Sequence, residues 1–199
     1  ALKLTETLEM PKPDKTKLRK WDFDSFKQHD VKGDVYQSLS QLPESVREII
    51  DVDHSKNLVI QHNNTIAYTQ VDDNASKDGV IVEGLADALM NHSDLVQKYF
   101  MKDGVTVDEH RITALHTALV NGGVFVYVPK NVVVEHPVQY VVLHDDENAS
   151  FYNHVIIVTE ESAEVTYVEN YLSNASGEGN QLNIISEVIA GANSNITYG

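Results

Sequence analysis

The sequence has no cysteine, one tryptophan and only five prolines in 199 residues. Without thiols there is no disulfide, no Cys-ligated zinc and no thiolate to hold an iron–sulfur cluster. Basic residues are also scarce: 15 Lys and Arg against 30 Asp and Glu leave a formal charge of −15. Such a field repels phosphate backbones, which argues against nucleic acid as a partner. The one basic cluster, Lys12, Lys15, Lys17, Arg19 and Lys20 beside Trp21, reads as a solvated segment. No apolar run approaches the ~18 residues that cross a membrane as a helix, so no membrane contact is expected. Ala1 to Leu8 carry helical spacing and acids where a signal peptide would have an apolar core. Together with the missing thiols, this points to the cytoplasm.

Catalytic signatures are missing too. There is no Gly-x-Ser-x-Gly elbow and no phosphate-cradling glycine loop followed by Lys-Ser/Thr. Gly177-Glu178-Gly179 is a poor nucleotide fingerprint, because no helical pattern follows it. The chain is read as no enzyme, with no catalytic, cofactor-binding or metal-binding residue assigned.

What is present is a repeat. Val158 to Tyr167 is echoed by Ile189 to Tyr198, about 31 residues on, each ending Val/Ile-Thr-Tyr after a small polar turn. A weaker echo, Val128, then Pro129-Lys130-Asn131, then Val132-Val133-Val134, lies one period earlier. One such unit cannot bury its own apolar face, so neighbouring units must stack. The pattern predicts an α+β N-terminal region, 1–121, mixed helical with a small β-hairpin. An all-β right-handed parallel β-helix is predicted to follow, with its first coils at 122–199. The second echo reaches Gly199 without a capping segment, and the chain begins without Met. It is therefore read as a truncated piece that self-associates through Ile184 to Tyr198.

Within the first region, Leu42 to Ile50 reads as a short helix, and Leu58–His62 and Thr65–Thr69 as a hairpin about Asn63-Asn64. Val80–Val82 reads as a strand, and Leu85–Phe100 as a helix broken near Asn91-His92-Ser93. A helix is predicted over Thr106–Asn121, with Thr106 and Glu109 as its capping box and Gly122 as its left-handed end. The loop Ser173 to Asn180 reads as an insertion between coils.

Candidate ligands are few. His110 and His116 share the predicted helix but stand roughly 120° apart around its axis, so they cannot chelate one metal. His144-Asp145-Asp146-Glu147 with His154 offers imidazole and carboxylate groups that iron(II) accepts, yet reads as an acidic turn. Asp72-Asp73-Asn74 lacks the rest of a calcium loop. Tyr127, Tyr140, Tyr167 and Tyr198 read as ladder packing rather than a carbohydrate platform.

Several stretches resemble the SufB/SufD family of the SUF iron–sulfur cluster assembly system, nearest its SufD branch in Gram-positive bacteria. They are Met10 to Lys17 before Trp21, Lys98 to Val105, Thr113 to Gly123, Tyr127 to Glu135, Asn153-His154-Val155 and Val165 to Tyr171. The resemblance implies a β-helical scaffold protein with a C-terminal helical domain. In that family the protein pairs with SufB and recruits the ATPase SufC, in a complex that carries a nascent cluster. It also places the family's partner contacts and cluster-related positions beyond Gly199, so no functional residue is carried over and no cofactor is expected on these residues. Two other readings compete. A carbohydrate-active β-helix would call for Lys or Arg beside Asp on one face, and there is neither Lys nor Arg after Lys130. A SufB-type sibling would call for cysteines.

Overall fold

The run Leu58-Val59-Ile60 is apolar at successive positions, the pattern of a strand covered on both faces, and all three residues are buried. It lies one strand in from the edge of its sheet. The computed structural model describes residues 1–18, 21–23, 30–50, 55–173 and 181–199. Among these, nine strands form two sheets. They are β1 Asn57–His62, β2 Thr65–Gln70, β3 Ile81–Gly84, β4 Gly122–Val128 and β5 Val138–His144. The series continues with β6 Ser150–Thr159, β7 Glu164–Ser173, β8 Gln181–Ala190 and β9 Asn195–Tyr198. One sheet has the order β2-β1-β5-β7-β9 and the other β3-β4-β6-β8.

This corrects the expected fold class. The protein is mixed α/β, and each sheet is itself mixed. β1–β2 and β3–β4 are antiparallel, whereas β1–β5, β5–β7, β7–β9, β4–β6 and β6–β8 are parallel. An all-β parallel β-helix that starts after residue 121 is not what forms. The reason is that β1, β2 and β3, from before Asn121, are built into the same two sheets.

The 31-residue echo does correspond to register. Val165, Thr166 and Tyr167 pair with Ile196, Thr197 and Tyr198 on parallel neighbours. The turns between strands repeat as well: Asn131, Ser162 and Asn193 all have positive φ, at 63°, 58° and 56°. Successive turns are tied by Asn131 N–H to Glu161 O and Ser162 N–H to Ala192 O. The main core fills the space between the sheets with Val124, Val126, Tyr140, Val142, Val155, Ile157 and Tyr167 among others.

Among the described residues five short α-helices decorate the sheets: α1 Glu44–Arg47, α2 Asp73–Lys77, α3 Leu85–Asn91, α4 Ser93–Tyr99 and α5 Arg111–Leu119. The hairpin and the break between α3 and α4 fall where the sequence places them. Asp72, read as part of a turn, caps α2 by accepting from the N–H groups of Asn74 and Ala75. The helix expected from Thr106 begins only at Arg111. His110 is its cap, its Nδ1 accepting from Thr113 N–H while Thr113 Oγ1 accepts from His110 N–H. After Leu119 the backbone turns extended, and the positive φ falls on Gly123 at 136°, not on Gly122. Of the expected insertion only Ser173 lies within the described residues, and in the basic cluster Arg19 and Lys20 lie outside them.

Candidate functional site

Burying a charged or polar side chain is costly unless it finds partners, so the buried polar residues mark where the fold is most constrained. Two strands and one helix bring three of them, His116, His154 and Glu187, into a line with the half-buried Asn183. His116 points from α5 toward β6 and β8, where its Nδ1 lies 2.6 Å from Asn183 Oδ1 and its Nε2 lies 3.1 Å from His154 Nδ1. His154 Nε2 lies 2.8 Å from Glu187 Oε2, and neither side chain has any exposure. Glu187 also accepts from Met101 N–H at 2.8 Å and Val105 N–H at 3.3 Å. The Phe100 ring lies over His154 at 4.6 Å.

Burial pushes His116 down to about 4, against the Asn183 hydrogen bond, so this ring is neutral at pH 7. Burial alone would raise Glu187. The His154 hydrogen bond and the Met101 and Val105 N–H groups outweigh it and hold the carboxyl below its ordinary value. The line has two proton arrangements, set by the orientation of the Asn183 amide. With Asn183 Oδ1 facing His116, the Nδ1–H of His116 donates to it. His154 Nδ1–H then donates to His116 Nε2. With the amide reversed, His116 Nε2–H donates to His154 Nδ1. In both, a proton lies between His154 Nε2 and Glu187.

A second network centres on Gln61 of β1. Its Nε2 donates to Asn63 O and Asn153 Oδ1, and its Oε1 accepts from Gly123 N–H and from the Tyr140 hydroxyl at 2.6 Å. A third joins His62 to Asp145 at 2.7 Å. Asp34 N–H donates to His62 Nδ1, which places the ring proton on Nε2, toward Asp145. Burial would raise Asp145, but the Asn63 amide and the His62 ring together keep it lowered.

The residues singled out in the sequence separate in space. His110 caps a helix while His116 joins the buried line. In the His144–Glu147 run, Asp145 pairs with His62, and His144 stacks flat on Phe151 at 3.9 Å with its Nε2 buried and without a partner. His154 belongs to the other sheet. Among the described residues no group of three or more His, Asp or Glu is arranged to hold a metal ion. Tyr140 and Tyr167 are interior, and the Tyr198 ring meets Tyr167 at 5.4 Å, tilted by 39°. Glu187 carried no signal in the sequence. Only the β6–β8 register, with His154 opposite Ile185, reveals it.

Two surface features complete the picture. A cavity of about 550 Å³ lies among β2, α3, α4 and the start of β4, walled chiefly by apolar side chains. The core is open at its β8–β9 end: Ile157 is fully buried, but its register partner Val188 is 44% exposed. Tyr167 and Tyr198 show the same contrast, 0% against 42%. Among the described residues no helix is long and apolar enough to cross a membrane.

Comparison with known proteins accounts for the whole length except the first 22 residues at the family level. The family described as SufBD protein N-terminal region matches residues 23–140. The one described as SUF system FeS cluster assembly, SufBD core domain, matches residues 141–199. The chain is 50% identical over 200 residues to the iron-sulfur cluster assembly protein SufD of Bacillus subtilis, covering 100% of this chain and 46% of that protein. It is 25% identical over 208 residues to an iron-sulfur cluster assembly SufBD family protein of Staphylococcus epidermidis, covering 100% of this chain and 44% of that one. A Staphylococcus aureus SufBD family protein is 24% identical over 189 residues, covering 94% and 38%. The chain thus spans less than half the length of the curated relatives it matches, and it belongs to the SufBD family of iron–sulfur cluster assembly proteins.

Proposed function

We propose that the protein is a non-enzymatic scaffold subunit of a SUF-type iron–sulfur cluster assembly complex, working with SufB-type and SufC-type partners in the cytoplasm. The observation that carries this reading is the 50% identity to Bacillus subtilis SufD along the full chain. The interior chemistry supports it. Gln61, His116, His154 and Glu187 are engaged with one another and with backbone groups, as suits a rigid platform rather than an open reaction centre. In this reading the nascent cluster is cargo of the complex and is not held by the residues described.

The test is a chimera in which these 199 residues replace the matching half of Bacillus subtilis SufD. The chimera is expected to restore iron–sulfur enzyme activities in a strain lacking SufD and to co-purify with SufB and SufC. A chimera that folds and accumulates but does neither would overturn the proposal.

A further inference from the structure

A cleft of about 550 Å³, partly open to solvent, presents apolar walls that a ligand could remove from water. That volume is in the range of small-molecule sites. The cavity's body is formed by Ile66, Leu85, Leu89, Val96, Phe100 and Val120. Leu89, which is 48% exposed, lies at the mouth.

The polar lining narrows the chemistry. Gln61 is engaged on both its amide atoms, Asn121 Oδ1 accepts from Tyr152 N–H, and Gln97 donates to Ser93. Lys102, exposed, is the only charged residue among the described lining residues. A lysine at an apolar mouth favours a single negative group by local charge complementarity, which must outweigh the repulsion of the chain's overall charge of −15. The wall is also held in place. Phe100 lies over His154, and the loop after it is tied by Met101 and Val105 N–H to Glu187, so Phe100 and Lys102 are set by the buried His154–Glu187 pair. Such pre-organisation reduces the ordering cost of binding.

We propose that this cavity is a binding site for a small amphipathic carboxylate, its apolar body between α3, α4 and β4 and its anionic end at Lys102. The test is calorimetric titration of the protein with decanoate, and with decanol as the uncharged match. Saturable one-to-one binding of decanoate is expected, at least tenfold tighter than decanol. Lys102→Glu should remove the preference for decanoate while leaving decanol unchanged. Leu89→Trp, which fills the mouth from a half-exposed position, should weaken both at least tenfold while leaving the unfolding midpoint in place. Four outcomes would each overturn the proposal: no saturable decanoate binding at millimolar concentration, equal binding of the two ligands, an unchanged preference in Lys102→Glu, or unaltered binding in Leu89→Trp.

Discussion

His154 Nε2 and Glu187 Oε2 meet at 2.8 Å across adjacent parallel strands, and both side chains are wholly buried. Removing one member strands the other in a low-dielectric interior, which costs more than the pair itself contributes. Glu187→Ala is therefore expected to lower stability by about 3–5 kcal/mol. It should also loosen residues 101–105, whose Met101 and Val105 N–H groups lose their acceptor. The double variant His154→Phe with Glu187→Leu should be less destabilised than Glu187→Ala alone. Urea unfolding measures both, and a double variant at least as unstable as the single would remove the argument.

Acid should weaken the fold in a defined window. Burial lowers His116 and His144 from 6.5 to about 4. His116 faces Asn183, His154 and Glu187, while His144 faces Phe151, with Asp145 raising it and His62 lowering it. Between the two values the unfolded chain binds protons that the folded chain refuses, so stability falls as pH drops from 6.5 toward 4 and is flat above. Each ring contributes a slope of up to about 1.4 kcal/mol per pH unit. The lowered carboxyls of Glu187 and Asp145 extend the loss below their ordinary values of 4.5 and 3.8. His144→Phe keeps the flat stack on Phe151 and deletes the orphaned Nε2. It should raise stability at pH 7 by about 1 kcal/mol and roughly halve the acid slope. Unfolding midpoints across pH 4–8 are the measurement.

These two networks also mark how far the sequence could be read. The hairpin about Asn63-Asn64 was legible because its signals are local. The 31-residue echo was legible because parallel neighbours impose like residues at like positions, as Tyr167 and Tyr198 show. Strand membership was not. Nothing local tells Leu58-Val59-Ile60 that its partner is Tyr140-Val141 some 80 residues on, so the expectation of a separate all-β region failed. The start of α5 was missed because His110 is an uncommon cap, while Thr106 and Glu109 fit the commoner pattern. Glu187 was invisible for the same reason as β1: its partner is chosen by register.

The turn residues allow a test of backbone strain. Ser162 adopts φ 58°, a left-handed conformation that costs a non-glycine residue about 1 kcal/mol. Set against about 0.5–1 kcal/mol of added unfolded-chain entropy, Ser162→Gly should therefore stabilise slightly, by up to about 0.5 kcal/mol. Gly123 is the opposite case. Its φ is 136°, and a Cβ there would collide with the backbone of His154. Gly123→Ala should cost about 3 kcal/mol or more and disturb the Gln61 network, since Gly123 N–H donates to Gln61 Oε1. Thermal unfolding of the two variants should move in opposite directions.

The open end of the core should drive association. β8 pairs only with β6 and β9 only with β7, so both are edge strands among the described residues. Leu182, Ile184 and Val188 alternate along β8 on one face, the face whose previous layer holds the buried Phe151, Asn153 and Ile157. Tyr198 adds to the same layer, its hydroxyl bonded to Ser186 and Glu169. Ile196, by contrast, is half-buried against the core, so it is a poor place to probe the surface. These 199 residues, taken by themselves, are expected to self-associate through β8 and β9 in a two-fold contact that covers both layers at once. Val188→Lys and Leu182→Lys put charge on the exposed layer without emptying the core. Each should shift the chain toward monomer at least tenfold in concentration, whereas Met90→Lys, on the exposed side of α3, should not. Sedimentation velocity over a wide concentration range decides it: a clean monomer throughout, or variants that associate like the parent, would show that the open layer is stable in water.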